Sequence, residues 1–567
     1  MARHPSDSMQ GGEVNLAGIQ SEFLQCLKSL EDNRVADRIW ARDPMLWKDD
    51  PSHWTEIKAR LGWLDVADAM YSLVADLQSF ADEMKGAGIR YVVLCGMGGS
   101  SLCPEVLRLT FGSAQGYPQL QVLDSTDPYT ISTVANAAAP KHSLYLIASK
   151  SGGTIEVDSL FRYFYNRAQR ELGDRAGRQF AAVTDPGTAL EQLARERGFR
   201  MVFLNLPDIG GRYSALSLFG LVPAALIGLD TAKLLDRARL MAQSCSAATQ
   251  VKANPGVWLG AAIGSAAIAG RNKLTLLASP GISSFGLWVE QLIAESTGKE
   301  GKGIVPVAGE PLGNIADYGE DRLFVYIRLE GDENGTLDQL ASQLEASGQP
   351  LVRLYLQDHY DLGAEFFRWE FATAVAGAIL EIDPFDQPNV QESKDNTTQV
   401  LAQYQATGKL PTPAPDLVEG ELKLYGAKGD NLAAALEAFV ALSKPGDYFA
   451  ILAYLPATDD IDGTLGVLRE RLRAKTRLAT TLGYGPRFLH STGQLHKGGP
   501  NSGLFVQLTA DDEVSLPIPG KPYDFGILKS AQATGDWEAL RRHGRRALWI
   551  HLGTNIAAGL QKVLAAI

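Results

Sequence analysis

Two turns rich in glycine and hydroxyl side chains follow apolar runs in the first half of the chain, "CGMGGSSL" at 95–102 and "SKSGGT" at 149–154. The residues of these turns that could contact a ligand are Gly98, Gly99, Ser100, Ser149, Ser151, Gly152 and Thr154. Glycine lets the backbone approach a ligand, and the free N–H groups at the start of a helix favour an anion. A serine or threonine turn can also simply cap a helix. Because both turns would meet at the carboxyl edge of one parallel sheet, we predict a phosphate site there.

The first turn also begins like the dinucleotide fingerprint GxGxxG, and Asp124 follows a later strand, where a ribose partner could lie. However, Ser101 stands in place of the third glycine. Asp124 is also further from the turn than the roughly 20 residues that the fingerprint expects. The pattern therefore favours a phosphate group over a dinucleotide.

The bulk properties of the chain exclude several classes of partner. Its formal net charge is −12, whereas binding to a nucleic-acid backbone needs a basic patch. The four cysteines form no CxxC pair, so neither a zinc site nor a disulfide framework is indicated. Residues 1–14 lack the order of a signal peptide, and the longest apolar runs are about a dozen residues, short of the roughly 20 of a membrane span. We expect a cytoplasmic protein that binds neither nucleic acid nor membrane.

The spacing of apolar residues divides the chain of 567 residues into several parts. Helical spacing dominates the beginning, after which short apolar runs alternate with helical segments, as in parallel βαβ units. A second such set starts near Asn272, and a proline-rich stretch separates a third. We predict an α/β protein with a helical N-terminal segment at 1–85, two parallel-sheet modules at 86–250 and 251–407, a linker at 408–421, and a smaller C-terminal α/β unit at 422–567.

Three further motifs narrow the interpretation: "DIGGRYSALSLFG" at 208–220, "QLIAESTGK" at 291–299 and "FDQPNVQESK" at 385–394. Together with the two turns, and in this order, they resemble the phosphoglucose isomerase family over roughly residues 90–400. The resemblance implies two doubly wound, three-layer αβα modules of the sugar isomerase (SIS) type. The segment "RIWARDPMLW" and the C-terminal unit resemble the isomerase portion of bacterial transaldolase/phosphoglucose isomerase fusions.

This resemblance implies an isomerase that interconverts glucose 6-phosphate and fructose 6-phosphate through an enediol(ate), with no cofactor and no metal. It also implies a phosphorylated hexose as substrate, a homodimer, and a possible association with a transaldolase. The role of the C-terminal unit stays open, because it could also be an interaction module left from, or paired with, a transaldolase. Two alternatives to the activity stay open as well. One is a dual enzyme that also accepts mannose 6-phosphate, and the other is a non-catalytic SIS regulator that binds a phosphosugar. A regulator would need no base and usually carries a basic helix-turn-helix, which this N-terminal segment does not offer.

The resemblance assigns a role to each matching residue. Glu295 matches the base that moves the proton, and Arg212, next to Gly211, matches the guanidinium that stabilises the enediolate. Lys394 matches a lysine of the ring-opening region. Gln291 and Gln387 match glutamines near the substrate, while the serines and Thr154 of the second turn match the phosphate loop.

The chain departs from the family pattern at three positions. Gly153 stands where relatives usually have threonine, Asn389 replaces a glycine, and Gln391 replaces a glutamate. The ring-opening histidine is also displaced, because only His359 lies between the base and the lysine, without the expected surroundings. "STGQLHKGG" in the C-terminal unit resembles the histidine segment better, so we predict His496, with His490 as a further candidate.

Overall fold

The computed structural model describes residues 8, 9 and 11–567, so part of the segment used for the signal-peptide prediction lies outside the described residues. Among the described residues, no helix combines the length and the apolar character that crossing a membrane needs. The N-terminal segment contains β1 (Ser8–Met9), β2 (Gly12–Asn15), α1 (Gln20–Asp32), α2 (Val35–Trp40), α3 (Trp54–Lys58), α4 (Val66–Tyr71) and α5 (Val74–Gly86).

The first α/β unit is a five-stranded parallel sheet in the order β4-β3-β5-β6-β7. Its strands alternate with helices, as the apolar runs predict. The elements are β3 (Tyr91–Cys95), α6 (Leu102–Phe111), β4 (Gln119–Leu123), α7 (Pro128–Ala137), β5 (Ser143–Ala148), α8 (Ile155–Leu172), β6 (Phe180–Thr184), α9 (Ala189–Glu196) and β7 (Met201–Leu204). Every residue of β5 is buried, as expected for the centre of a sheet that is covered on both faces.

Three helices lead to the second unit: α10 (Leu218–Leu226), α11 (Thr231–Ser244) and α12 (Pro255–Ile268). The second unit then consists of β8 (Lys273–Ala278), α13 (Phe285–Thr297), β9 (Val305–Val307), β10 (Arg322–Leu329), α14 (Gly335–Ala346), β11 (Leu351–Leu356), α15 (Leu362–Ile379) and α16 (Pro388–Thr407). Its sheet has the order β1-β2-β11-β10-β8-β9.

The strands β1 and β2 were not expected in the segment predicted to be helical. β2 pairs antiparallel with β11, so the N-terminal segment forms an edge of the second sheet. Glycine at position 12 permits this pairing, since a Cβ there would lie 2.6 Å from the backbone oxygen of Arg353. A four-residue strand has too few alternating positions to be told from a loop in the sequence.

The C-terminal unit has a third sheet, in the order β12-β13-β17-β16-β14-β15, whose last four strands are parallel. Its elements are β12 (Leu417–Glu419), β13 (Leu422–Tyr425), α17 (Leu432–Val440), β14 (Tyr448–Tyr454), α18 (Asp459–Thr476), β15 (Ala479–Tyr484), α19 (Gly493–Gly498), β16 (Gly503–Thr509), α20 (Phe525–Arg542), β17 (Arg546–His551) and α21 (Ile556–Ala566). The helix α18 begins at Asp459 and runs to Thr476. It ends at a left-handed Arg477, and the following residues form β15.

The C-terminal unit packs directly on the second unit. Ala294 of α13 and Val305 of β9 share one buried apolar cluster with Tyr448 and Phe505 of the third sheet. Arg469 of α18 crosses the same boundary and donates to the backbone oxygens of Ala308 and Gly309. These contacts place the carboxyl ends of β14 and β15 near α13, which carries the predicted base.

Candidate active site

The first glycine-rich turn forms a buried floor between α13 and the C-terminal unit. Gly98 adopts φ +55°, and a Cβ at this position would meet the backbone oxygen of His490 at 2.7 Å and Nε2 of Gln291 at 2.9 Å. A Cβ on Gly99 would lie 1.9 Å from the backbone oxygen of Gly211. The two glycines thus allow three segments of backbone to meet, and this contact brings the Gly211–Tyr213 turn to the end of β3.

The second turn lies between the end of β5 and the start of α8, as predicted. Ser149 Oγ and Thr154 Oγ1 are 3.1 Å apart, and Ser151 Oγ accepts a hydrogen bond from the Gly153 backbone N–H at 3.4 Å. Residues of this turn line two separate cavities, which lie on opposite sides of α8. Ser149, Gly152 and Thr154 line a groove of about 400 Å³ between α8 and α9. Gly153 lines a smaller cavity on the opposite side.

The guanidinium of Arg212 is almost completely buried and donates four hydrogen bonds. Its Nε donates to Ser296 Oγ at 2.7 Å, and its Nη1 donates to Gln387 Oε1 at 2.8 Å. Its Nη2 donates to the backbone oxygens of Pro384 and Asp386 at 2.6 and 2.9 Å. The planar group with five donors is therefore held rigidly, as oxyanion stabilisation requires.

The predicted base lies beside this guanidinium. Glu295 Oε1 is 3.4 Å from Arg212 Nη1, and its Oε2 accepts a hydrogen bond of 3.0 Å from Gln291 Nε2. Glu295 and Gln291 are one helical turn apart on α13, so the helix itself sets their spacing. The amide oxygen Oε1 of Gln291 is buried and has no hydrogen-bond partner among the described residues. It can accept a hydrogen bond from a ligand hydroxyl.

A cavity of about 100 Å³ lies between the starts of α8 and α16 and the segment after β15. It is linked to Gln291 through His490, whose backbone oxygen accepts a hydrogen bond from Gln291 Nε2. Gly153, Glu156, Lys394 and His490 line this cavity. Lys394 projects from an exposed position of α16, while His490 belongs to the C-terminal unit. The structure thus brings Lys394 and a histidine to one small space beside the phosphate turn.

Glu156 is the carboxylate partner of His490. The Nε2 atom of His490 is 2.9 Å from Oε1 of Glu156, which is 3% exposed. Burial works to raise the pKa of Glu156, but the charge of His490 and its hydrogen bond, with a smaller contribution from Lys394, hold this pKa below its usual value. The carboxylate therefore stays charged, and it orients the ring of His490 through the Nε2 atom.

The structure does not bring the predicted His496 to this site. Its ring packs between Phe505 and Phe488, with centroid distances of 5.0 and 6.0 Å, and its Nδ1 is buried without a partner among the described residues. Burial, with the charges of Lys497 and Arg545, lowers the pKa of His496 well below its usual value. His490 and His496 lie on one short segment, and the motif does not reveal which of the two side chains faces the cavity. His359 is also elsewhere, in contact with Phe111.

The departures from the family pattern on α16 have structural explanations. The side chain of Asn389 accepts a hydrogen bond of 2.8 Å from Gln494 Nε2, and its backbone N–H donates to Gln494 Oε1 at 2.8 Å. The asparagine thus ties the start of α16 to α19 of the C-terminal unit. Gln391 is exposed and donates to Asp395 one turn further along the helix, at 2.8 Å.

The third departure, Gly153, lies in the turn between β5 and α8. A Cβ built on Gly153 would have no heavy atom within 4 Å.

Two further groups of side chains could form sites for a ribose and for a metal ion, but both are already paired with protein cations. Asp124 forms a bidentate pair with Arg487, with both distances 2.8 Å, so this carboxylate is not directed towards a ribose. Among the described residues one group could hold a metal ion, namely His53, Asp383 and Asp386. However, Lys299 Nζ already contacts Asp386 Oδ1 at 2.5 Å and two backbone oxygens of the same loop. A cation is therefore already present there, and we assign no metal to this loop.

The sequence analysis did not single out Glu156, Ser296 or Lys299. Glu156 follows the phosphate turn by two residues, but an acidic residue in the first turn of a helix is also typical of helix-dipole stabilisation. Ser296 and Lys299 lie within a motif that was noted, next to Glu295. Only the fold shows that Ser296 accepts a hydrogen bond from Arg212. It also shows that Lys299 donates to the loop at 383–386, whose backbone oxygens accept hydrogen bonds from Arg212.

The chain is similar to known proteins over much of its length. Residues 55–318 match the family model described as phosphoglucose isomerase. The glucose-6-phosphate isomerase of Carboxydothermus hydrogenoformans is 25% identical over 446 residues, covering 69% of this chain and 90% of the relative. Two solved structures share the fold. One is a hypothetical protein from Thermus thermophilus, with a TM-score of 0.60, 23% identity, and coverage of 69% of this chain and all of the other.

The second is a glucose-6-phosphate isomerase from Chlamydia trachomatis, with a TM-score of 0.52, 18% identity, and coverage of 71% of this chain and 90% of the other. The fold class predicted from the sequence, α/β with doubly wound parallel sheets, is confirmed by the observed sheets. The matched family model and the named relatives thus make the chain similar to phosphoglucose isomerases over a large part of its length.

Proposed function

We propose that this protein is a glucose-6-phosphate isomerase, an aldose–ketose isomerase that interconverts glucose 6-phosphate and fructose 6-phosphate. The observation that carries the proposal is the buried pair of Glu295 and Arg212, whose Oε1 and Nη1 atoms are 3.4 Å apart. A base next to a rigid cation is the arrangement that proton transfer through an enediolate needs. The curated relatives that carry this activity in their names support the same assignment.

The proposed reaction moves one proton between neighbouring carbons. Glu295 takes the proton from C2 of the open-chain aldose and returns it to C1, while the hydroxyl proton passes from the C2 oxygen to the C1 oxygen. Arg212 stabilises the negative charge that develops on oxygen. The unpartnered Oε1 of Gln291 accepts a hydrogen bond from a substrate hydroxyl.

Ring opening requires a proton at the ring oxygen and removal of the proton of the anomeric hydroxyl. We assign this step to His490, held by Glu156, with Lys394 at the same cavity. The phosphate is assigned to the turn with Ser149, Ser151, Gly152 and Thr154, together with the floor formed by Gly98, Gly99 and Ser100. The substrate would thus lie between the first unit and the C-terminal unit. A cytoplasmic location, a homodimer and an association with a transaldolase stay predictions of the family resemblance.

The experiment that tests the function is a coupled assay for fructose 6-phosphate formed from glucose 6-phosphate, run on the natural chain and on Glu295→Gln. We expect activity in the natural chain and a loss of at least about a hundredfold in the variant, the low end of general-base contributions. Glu300→Gln is the control, since Glu300 is exposed and pairs with Lys48 at 2.7 Å, away from the site. Its activity should stay unchanged.

Mannose 6-phosphate is assayed in parallel, because the dual enzyme is the nearest alternative. A folded natural chain that binds fructose 6-phosphate but forms no product would contradict the proposal and favour a phosphosugar-binding regulator. Equal activity of the natural chain and Glu295→Gln would instead remove Glu295 as the base.

A further inference from the structure

The buried amide of Gln532 connects the C-terminal unit to the pair of His490 and Glu156. Gln532 lies on α20 and is 1% exposed. Its Nε2 donates to Glu156 Oε1 at 2.7 Å, the same oxygen that contacts His490 Nε2 at 2.9 Å. Two donors therefore converge on one carboxylate oxygen, and one of them belongs to a residue to which the sequence analysis assigned no role.

The orientation of this amide is fixed by its other end. Thr126 Oγ1 lies 2.8 Å from Gln532 Oε1, and a hydroxyl can donate to that oxygen while an amide oxygen can only accept. The opposite rotation of the amide would place its oxygen against the charged carboxylate of Glu156, so that two acceptors would face each other with no proton between them. Nε2 must therefore point at Glu156. The hydrogen bonds from Thr126 to Gln532 and from Gln532 to Glu156 form one buried, directed chain that ends at His490.

Helix α20 is itself anchored next to this chain. Lys529, one turn before Gln532, contacts Asp127 Oδ2 at 2.8 Å and also pairs with Asp512. Asp127 is the neighbour of Thr126 in the sequence, so the ion pair and the amide hold the same loop of the first unit. Asp536, one turn after Gln532, forms a completely buried pair with Lys497 at 2.6 Å. Three residues on one face of α20 thus set its position against the first unit and α19.

We propose that Gln532 is a positioning residue of the active site: it holds Glu156 so that this carboxylate keeps the ring of His490 in place. The proposal rests on the function assigned above and extends it to the C-terminal unit, which acts as a built-in partner that supplies both the histidine and its support. Gln532 does not touch the substrate. Its effect on the reaction passes through Glu156 and His490.

The chemistry predicts a specific signature. A hydrogen bond to a carboxylate stabilises the charged form, so its removal raises the pKa of that carboxylate. In Gln532→Leu we therefore expect the acid limb of the pH–rate profile to move to higher pH. We also expect kcat to fall about tenfold, by analogy with the outer-shell groups that orient metal ligands, while KM changes little because the phosphate turn and Arg212 are untouched.

Gln507→Leu is the matched control. Gln507 is also a completely buried glutamine of the C-terminal unit, and its Nε2 donates to the backbone oxygen of Ala533 at 3.2 Å. It should reproduce any loss of thermal stability, but neither the change in kcat nor the shift of the acid limb. Thr126→Val is a second variant of almost unchanged shape that removes only the hydroxyl which orients Gln532. Thr126→Val should shift the acid limb of the pH–rate profile in the same direction as Gln532→Leu. It replaces Gln532→Leu as the test if that variant does not fold.

A measurement without substrate separates this proposal from the proposed function. In protein labelled with 13C at histidine, the imidazole signal of His490, assigned through its loss in His490→Gln, is followed as a function of pH. A changed titration in Gln532→Leu and an unchanged one in Gln507→Leu support the positioning role even if isomerase activity is absent. An identical titration of His490 in all three proteins, or equal kinetic changes in the two glutamine variants, would overturn it.

Discussion

The side-chain amide of Gln291 joins the carboxylate of Glu295 to the segment that carries His490. Its Nε2 atom lies 3.0 Å from Glu295 Oε2 and 2.8 Å from the backbone oxygen of His490. The two groups belong to different units of the chain, one to α13 and the other to the segment after β15. The proton-transfer half and the ring-opening half of the site are thus fixed relative to each other by one buried residue.

The first prediction concerns the shape of the cation. Arg212→Lys keeps the charge but loses the planar fork, so it cannot satisfy Ser296, Gln387 and the two carbonyl oxygens together. We expect kcat/KM to fall by about 10²–10³, as on removal of an oxyanion donor, with a lower thermal midpoint. Arg200→Lys is the control, because Arg200 pairs with Glu83 at the surface at 2.8 Å. If kcat/KM of Arg212→Lys stayed within a few fold of the natural value, the charge alone would suffice.

The second prediction separates the two histidines of the C-terminal unit. His490→Gln removes the ring next to Glu156 and Lys394, so we expect kcat with the cyclic substrate to fall about a hundredfold, within the range of general acid–base catalysis. The ring of His496 packs between two phenylalanines, away from the cavity. His496→Gln should therefore leave kcat within a few fold of the natural value. Steady-state kinetics of the two variants, with folding checked by circular dichroism, decide this. The reverse order of the two effects would restore His496 as the catalytic histidine.

The comparison of these histidines shows what sequence patterns could and could not provide. Glycines at turns and apolar runs are local properties, so the positions of the two glycine-rich turns after strands were predictable. Gln291 and Glu295 were matched through the family resemblance. The contact of Arg212 with Glu295 joins residues 83 positions apart and depends on the family resemblance rather than on spacing.

His490 and Gln532 illustrate the other limit. Their contacts with Glu156 cross more than 300 positions of the sequence and arise from the packing of the third sheet against the first unit. A local motif identifies a histidine-bearing segment, but not which of its side chains faces the cavity. The edge strand β2 was missed for a similar reason, because its pairing partner β11 is at the far end of the second unit.

The third prediction tests the close contact between Gly99 and the backbone of Gly211. Gly99→Ala would place a methyl group 1.9 Å from the backbone oxygen of Gly211, and backbone cannot give way as a side chain does. We expect the free energy of unfolding to fall by about 1–3 kcal/mol or more, as in overpacked cores, together with loss of activity. Gly153→Ala has open space around it and should change stability by no more than about 0.5 kcal/mol. Urea denaturation of both variants measures the difference, and equal midpoints would contradict the close contact.

The last prediction concerns pH and the buried ring of His496. Because burial lowers its pKa well below the usual value near 6.5, this ring stays neutral in the native protein at a pH where an unfolded histidine takes up a proton. The unfolded state then binds more protons, so its stability relative to the native state increases as the pH falls. The stability due to the neutral ring is fully present above pH 6.5 and is lost progressively below it, down to the native pKa, at about 1.4 kcal/mol per pH unit.

His496→Leu should remove this part of the pH dependence. At pH 7 the variant should be at least as stable as the natural chain, since it replaces a buried nitrogen that lacks a partner by an apolar group of similar size. Between pH 6.5 and 5 its thermal midpoint should fall less steeply than that of the natural protein. His142→Leu, at a partly exposed position of the first unit, controls for the loss of any histidine. If His496→Leu and the natural chain lost stability in parallel over this range, the ring of His496 would have to be protonated in the native state, and its packing between Phe488 and Phe505 would not keep it neutral.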